Sequence, residues 1–595
     1  MDENYFGSPI RKQIFFFIIL GFFSLQVFQL VRMQLLNTDK YEEKSNENSI
    51  KTNIINPARG LLYDRNINLL VGNKASFILR VTPDHYRNSN TKKIETVLNA
   101  DSGYVDQILQ KNRKYSKYSP RNIMRNVTNE VISWVDENKD KLPGVDYNVQ
   151  TQRDYSFGVT GSHAFGYTKE IDNKALSSLK DIYSMGDYIG ASGIEKTYEK
   201  YLRGSKGKEY FVVNSRQKVV GKYKEGREDI PPQKGNDLIL TIDKNTQIAA
   251  EEALTDYTGA VIALEPQTGE ILAFVSAPEY DLSNFASVTS SDFWDTLSSD
   301  TTKPLFNRVT MSRNPPGSTF KMLIAFAGLE EKIISKNFSV NCKGGHRFGN
   351  RFFRCTHQHG YVNMTSAIER SCNTYFYQLI LKLGIDNLYK YSKMFHFGEK
   401  TRIDIGQEFK GLIPSKEYYD KVYGEGRWTN GNLLSLGIGQ GEILTTPLQL
   451  AQYAALLANF GKTKTPHLVR GYIESETNRY VPLEYDSIEV NISRTSFNVI
   501  RKGMYNVVQG VDGTAKWIKL KDIEISGKTG TAQNPHGEDH ALFIAFAPFD
   551  NPKIAVAVIV ENVGYGSTYA APIARRVIKA YLQPEKEKLE LFTSN

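Results

Sequence analysis

The chain has 595 residues, and its 74 lysines and arginines against 65 acidic residues give a formal charge of +9. That length exceeds what one hydrophobic core organises and points to several units of roughly 100–200 residues each. So mild a charge does not identify a nucleic-acid binder, and three cysteines confined to one window (Cys342, Cys355, Cys372) argue against a disulfide scaffold spread through the fold.

Residues 14–31 carry no charge and follow Arg11 and Lys12. The run is long enough to span a bilayer, and the basic pair before it keeps the N-terminus in the cytoplasm. No small-x-small cleavage site follows, so the expectation is a short cytoplasmic tail (1–12) and an uncleaved transmembrane anchor (13–34), with the bulk of the chain outside the cytoplasmic membrane. From 35 to 230 the sequence is polar, with short strand-like pieces such as 76–82, and predicts an elongated mixed α and β pedestal with a modest core. Arg59, Gly60, Asp64, Arg65, Arg153, Tyr155, Glu195, Glu199 and Arg203 punctuate it. None has the spacing of a metal site, phosphate loop or triad, and their expected task is to fasten elements together.

Pro231, Pro232 and Gly235 mark a boundary before 237–243, which alternates like a strand and continues into a helical pattern. Residues 259–266 and 271–278 read as an antiparallel hairpin, and 541–548 with 554–560 as a second one. Helical patterns fill the space between, among them 446–459, and a closing helix is expected over 570–582. Strands at both ends with helices between predict one α+β domain over 231–583 whose sheet is closed by the two ends of the segment. The polar stretch 584–595 is expected to be solvated.

Within that domain, Pro315, Pro316 and Gly317 precede an apolar helical run, so a helix should begin near Ser318. Residues three apart share a helical face, which puts the Ser318 hydroxyl and the Lys321 amine together beside free backbone N–H groups. An S-x-x-K arises by chance in a chain of this size; its meaning depends on context. Ser371-Cys372-Asn373 follows a helical stretch at 364–370 and offers a second hydroxyl and an amide. Lys528-Thr529-Gly530-Thr531 follows the β-like 523–525, and Gly527 and Gly530 are expected to leave room for an extended ligand backbone. The three motifs in this order are the set shared by penicillin-binding proteins and serine β-lactamases.

With PPGSTFK, SCN and KTGTA, the run GIGQGEILTTPLQLA at 437–451, the PARG and DR elements, GIEKTYEKYLRG and LTID, the chain resembles the class B penicillin-binding proteins of rod elongation over nearly its whole length. The resemblance implies a pedestal of the dimerisation type and a transpeptidase domain with an antiparallel five-stranded sheet between helices. It also implies a peptidoglycan D,D-transpeptidase that is acylated by stem peptides ending in D-Ala-D-Ala and by β-lactams. Ser318 would be the nucleophile and Lys321 its base, an amine brought near neutrality by burial and by Lys528. Ser371 would relay a proton to the leaving amine, Asn373 would hold the donor peptide, and Thr529, Gly530 and Thr531 would receive the terminal carboxylate. Implied partners are a SEDS-family glycosyltransferase, rod-complex scaffold proteins and the cytoplasmic membrane, with no nucleic acid.

Cys342, Cys355, His359 and Cys372 supply three thiolates and an imidazole, a donor set that suits a closed tetrahedral zinc site, with His346 and His357 as rival ligands and a disulfide plus a spare thiol as the alternative. The same cysteine and histidine cluster in rod-type transpeptidases favours structural zinc. No cofactor is expected for the chemistry. Two other functions fit the motifs: a D,D-carboxypeptidase or β-lactam hydrolase, and a non-catalytic β-lactam sensor or activator of a membrane glycosyltransferase. The pedestal and anchor argue against a free β-lactamase, and intact motifs argue against a pure binder.

Overall fold

A computed structural model describes residues 9–33, 49–111, 117–118, 120–184, 186–214, 219–286 and 289–584. Most of the expected cytoplasmic tail (1–8), the junction at 34–48 and the polar end at 585–595 lie outside the described residues. The chain divides into two compact units, one formed by 1–57, 77–150 and 205–233, the other by 58–76, 151–204 and 234–595.

The first unit contains helix α1 (Pro9–Val31), whose apolar side chains are exposed along its length. It is long and apolar enough to cross a membrane, the behaviour expected of an anchor. Ile50–Ile55 pairs antiparallel with Gly207–Val213, which pairs in turn with Val219–Lys222. A small core elsewhere in the unit gathers Leu79, Val81, Ile94, Val105, Ile123, Val135 and Val145. This is the mixed, lightly packed structure that the polar composition predicts.

The second unit is built on a five-stranded sheet: β1 (Gly259–Leu264), β2 (Ile271–Ala277), β3 (Ser526–Ala532), β4 (His540–Ala547) and β5 (Ile554–Val560), in the spatial order β2-β1-β5-β4-β3. All four pairings are antiparallel, and β1 against β5 joins the first hairpin to the last. Residues in β1, β2 and β5 are buried without alternation, so both faces of the sheet are covered. Helices α2 (Lys244–Leu254) and α8 (Ala570–Leu582) pack together on one face, and α6 (Pro447–Ala458) on the other. Thr446 caps α6 reciprocally with Gln449, and Pro447 opens its first turn, which fixes its start.

Three further helices place the cleft: α3 (Lys321–Glu330), α4 (Met364–Glu369) and α5 (Asn373–Met394, broken at Gly384). Helix α3 is buried from Lys321 to Gly328. Phe326 lies 4.8 Å ring to ring from Phe497, on α7 (Arg494–Gln509), and 5.3 Å from Phe395. Burial of each such side chain contributes about 1.5–3 kcal/mol, enough to hold α3 in place although it begins with a buried lysine.

Arg59, Arg153, Glu195 and Glu199 meet inside this unit. Arg59 Nε donates to Glu195 at 2.6 Å and its Nη2 to Glu199 at 2.6 Å, while Arg153 Nε reaches Glu195 at 2.6 Å. Arg65 pairs with Glu265 and Glu270. These residues fasten 58–76 and 151–204 into the unit, the structural task the sequence assigns them.

Candidate active site

The site begins where the chain cannot be a helix. Gly317 adopts φ 54°, and a Cβ there would lie 2.6 Å from the Thr531 carbonyl oxygen. Only glycine combines that conformation with so close an approach. Its N–H donates to the Gly439 carbonyl at 2.9 Å, and Thr319 Oγ1 closes the turn on the Pro316 carbonyl at 2.6 Å. Gly317–Phe320 is consequently a 3-10 turn, and α3 starts at Lys321, three residues later than the sequence pattern indicates. Ser318 is half-buried on that turn, with Lys321 fully buried behind it.

Lys321 Nζ donates to the Ser371 carbonyl at 2.8 Å, to Ser371 Oγ at 3.2 Å and to Asn373 Oδ1 at 2.7 Å. None of these partners is a carboxylate. Burial draws the amine down to about 8, opposed by the negative charge of Cys355 and Cys372.

Ser371 and Asn373 are presented by the α4 to α5 junction. The Ser371 N–H closes on Ile368 and the Cys372 N–H on Ala367, which forces Ser371 into the left-handed region at φ 54°. Serine adopts that region at a cost, and such strain gathers at functional sites. Cys372 then caps α5, so Asn373 is its first residue and faces the amine of Lys321.

Lys528 arrives from the sheet. Its Nζ donates to Ser371 Oγ at 2.8 Å and to the Thr529 carbonyl at 2.9 Å. Burial, and next the charge of Lys321, hold it well below the usual lysine range. Burial is the first cause of both depressions, and the repulsion between the two amines acts on the pair. Ser371 Oγ thus sits between two amines, a position from which a hydroxyl can pass a proton.

Two expectations about the third motif change. Lys528, Thr529, Gly530 and Thr531 lie within edge strand β3, whereas the β-like 523–525 is irregular. Two glycines, a lysine and an alanine weaken the strand signal of β3 despite its two threonines, and its pairing with β4 establishes it. The glycines also serve the protein's own packing. A Cβ at Gly530 would come within 2.9 Å of Thr319 Cγ2, and one at Gly527 within 2.5 Å of the Phe543 ring.

Three contributors were not singled out from the sequence. Gln440 Nε2 donates to the Thr531 carbonyl at 2.8 Å, and a Cβ at Gly439 would meet the Gly317 carbonyl at 2.1 Å. Thr514 Oγ1 shares a hydrogen bond with Thr529 Oγ1 at 3.0 Å. The glycine-rich run at 437–441 marks the first two as a tight turn, but nothing local marks Thr514.

Behind Ser371 and Asn373, the ligand atoms of Cys342, Cys355, His359 and Cys372 all lie within 4.8 Å of one another. His359 Nδ1 is 3.6 Å from the sulfurs of both Cys342 and Cys355, and the Cys355 and Cys372 sulfurs are 4.0 Å apart. Metal–sulfur bonds of ~2.3 Å in a tetrahedron put sulfurs roughly 3.8 Å apart, so the donor set and its spacing fit a metal ion. All three cysteines are free, and His346 and His357 are not members of the cluster. The Asn373 N–H donates to Cys355 Sγ at 3.2 Å, tying the cluster directly to the cleft.

The chain matches the family model of the penicillin-binding protein transpeptidase domain over residues 259–579 and that of the penicillin-binding protein dimerisation domain over 54–240. It is 34% identical to the peptidoglycan D,D-transpeptidase MrdA of Haemophilus influenzae, covering 99% of this chain and 94% of that protein. Its fold is similar to the penicillin-binding protein PBP2 of Helicobacter pylori solved with MreC, at 28% identity and a TM-score of 0.78 over 89% of this chain and 98% of that one. A chain of a peptidoglycan synthase complex, solved to show the coordination of polymerization and crosslinking, matches at 27% identity and a TM-score of 0.74, covering 98% of this chain and 100% of that one. With motifs, sheet and both domain models in agreement, the chain belongs to the penicillin-binding protein transpeptidases that carry a dimerisation domain.

Proposed function

We propose that the protein is a peptidoglycan D,D-transpeptidase that cross-links stem peptides through an acyl-enzyme on Ser318 during wall elongation. The observation that carries the reading is Lys321: a fully buried amine with no carboxylate partner, one helical turn from Ser318 and bonded to Ser371 and Asn373. Part of its population is neutral near physiological pH, so it accepts the Ser318 proton as Oγ attacks the carbonyl of the penultimate D-Ala. The oxyanion is held by the backbone N–H groups of Ser318 and Thr531, each worth about 3–4 kcal/mol in comparable sites. Ser371, flanked by Lys321 and Lys528, hands a proton to the departing amine, and D-Ala leaves. Asn373 holds the donor peptide, and Thr529, Gly530 and Thr531 receive its terminal carboxylate. An acceptor amine on a second stem peptide then attacks the ester, forming the cross-link and freeing Ser318. A β-lactam acylates the same serine.

The Cys342, Cys355, His359 and Cys372 cluster suits structural zinc, because soft thiolates and a closed four-donor set favour it. It adds nothing to the bond-making steps and instead braces the Ser371 and Asn373 turn. About one zinc per chain by elemental analysis is expected; no metal together with a cysteine–cysteine bond would remove the assignment.

Residues 35–230, of which 58–76 and 151–204 pack within the second unit, serve as the pedestal and 231–583 as the transpeptidase domain. A similar protein was solved with MreC and another within a peptidoglycan synthase complex, which supports a scaffold partner and a SEDS-family polymerase for the pedestal. Arg11 and Lys12 in the first turn of α1, ahead of its uncharged run, support a single-pass anchor with the N-terminus in the cytoplasm. The decisive experiment is labelling with fluorescent penicillin. The unsubstituted protein should be labelled and Ser318→Ala should not; labelling that survives the substitution would overturn the assignment of the nucleophile. Purified lipid-linked substrate and a partner polymerase then separate cross-linking from trimming, with free trimmed peptide favouring a carboxypeptidase.

A further inference from the structure

From residue 332 to 368 the chain contains no aspartate or glutamate, although this stretch leads directly into the Ser371 and Asn373 wall of the cleft. Inside it, Gly345–Phe348 and Arg351–Arg354 form an antiparallel hairpin with Gly345 opposite Arg354, Arg347 opposite Phe352 and Phe348 opposite Arg351. Opposite residues in such a pair share a face and alternate residues change face. One face therefore carries Phe348 and Phe353, which pack against the core, with Arg351 over the Phe353 ring at 4.8 Å. The other carries Arg347, Phe352 and Arg354, all exposed. The Phe352 ring lies across Gly345, where a Cβ would be 2.5 Å away, and is nevertheless 47% exposed. Neither arginine is ion-paired among the described residues.

The hairpin ends at the site. The Arg354 carbonyl accepts from Asn373 Nδ2 at 3.4 Å and from the Tyr377 hydroxyl at 3.3 Å. Asn373 is thus one hydrogen bond from the Arg354 backbone, which puts the end of this hairpin beside the place assigned to the donor peptide. Guanidinium groups recognise carboxylates through paired hydrogen bonds, and an adjacent aromatic ring reduces the hydration that competes with them.

We propose that the Arg347, Phe352 and Arg354 face binds a free carboxylate of a stem peptide at a residue remote from the scissile bond. The protein thereby prefers peptides that keep this carboxylate over peptides in which it is amidated. The inference rests on the reading of the cleft as a stem-peptide site. The carboxylate belongs to the donor or to the acceptor peptide, and the two steps of the reaction tell them apart.

The test uses full-length protein in detergent and synthetic stem peptides ending in D-Ala-D-Ala, with the remote carboxylates free or amidated. Every rate is normalised to active sites titrated with labelled penicillin. In the unsubstituted protein, D-Ala release from the free-carboxylate donor should exceed that from the amidated donor by about tenfold, the scale of a charge-assisted contact. In the double variant Arg347→Gln, Arg354→Gln that ratio should fall towards one, and Arg347→Gln alone, distant from Asn373, should lower it in the same direction. If instead only transfer to a free-carboxylate acceptor discriminates and loses its preference in the variant, the face reads the acceptor. A ratio near one in the unsubstituted protein at both steps, or one that the double variant leaves unchanged, overturns the proposal. Failure of penicillin to titrate Ser318 at all would be the separate failure of the transpeptidase reading.

Discussion

Two clusters of buried cations in the second unit are treated in opposite ways. Arg59 and Arg153 surround Glu195, which is fully buried and bonded to both, and Glu199 adds a second carboxylate to Arg59. Burial pulls the Arg59 guanidinium down, but the two carboxylates outweigh it and its pKa is raised, so it stays charged. Lys321 and Lys528 are fully buried, more deeply than Arg59, whose side chain is 13% exposed, and their partners are a serine, an asparagine and backbone carbonyls. Burial lowers both. A compensated buried charge is a fastener, whereas an uncompensated one is held ready to give up its proton. In these two clusters the difference separates a structural role from a chemical one.

The largest test of the contrast is Lys321→Met. Loss of the base should slow acylation by labelled penicillin by about 10²–10⁴-fold, with stopped-flow or gel-based rates as the readout. A variant that keeps its rate within a few-fold of the unsubstituted protein would mean that another group takes the Ser318 proton. Glu195→Gln tests the other half. It leaves two buried guanidinium groups short of their countercharge, and breaking a buried pair from one side costs about 3–5 kcal/mol. The melting temperature should drop clearly, while the acylation rate per titrated active site should stay the same, because Glu195 bonds to none of the residues assigned to the chemistry. An unchanged melting temperature would show that Glu199 and the neighbouring amides already satisfy Arg59 and Arg153.

The sequence displays these two clusters unequally. Ser318, Lys321, Ser371, Asn373 and Lys528 stand in short motifs, and both hairpins and the closing helix follow from hydrophobic pattern and turn residues. Arg59 and Glu195 are individually visible, but their contact joins positions 136 apart, and no local period reports a contact of that separation. The same limit hid Thr514 beside Thr529 and Gln440 beside Thr531. The edge strand β3 was missed for another reason: its glycines, lysine and alanine dilute the strand signal of its two threonines, and it exists because β4 offers it a complete ladder. The 3-10 turn at Gly317–Phe320 likewise depends on Thr531 and Gly439, which are remote in sequence and adjacent in space.

The smallest expected effect is the most specific, because it follows the proton itself. With Lys321 at about 8, the neutral fraction falls about tenfold for each pH unit below that value, so the acylation rate should climb through pH 6 to 8 and level off above. Stability follows from the same shift. The folded value lies below the ordinary lysine value of 10.5, so between the two the unfolded chain binds more protons than the folded one, and stability rises with pH across that window. Below pH 8 both states are protonated and the cost of burying the charge is felt in full. Lys528, lowered in the same direction, adds to the trend, whereas Arg59, raised by its carboxylates, takes no part. Lys321→Met should flatten the rate profile and reduce the rise in stability, and Glu195→Gln should leave both slopes as they are. A rate profile already flat from pH 6 in the unsubstituted protein would place the amine well below about 8, with the repulsion of Lys528 outweighing burial.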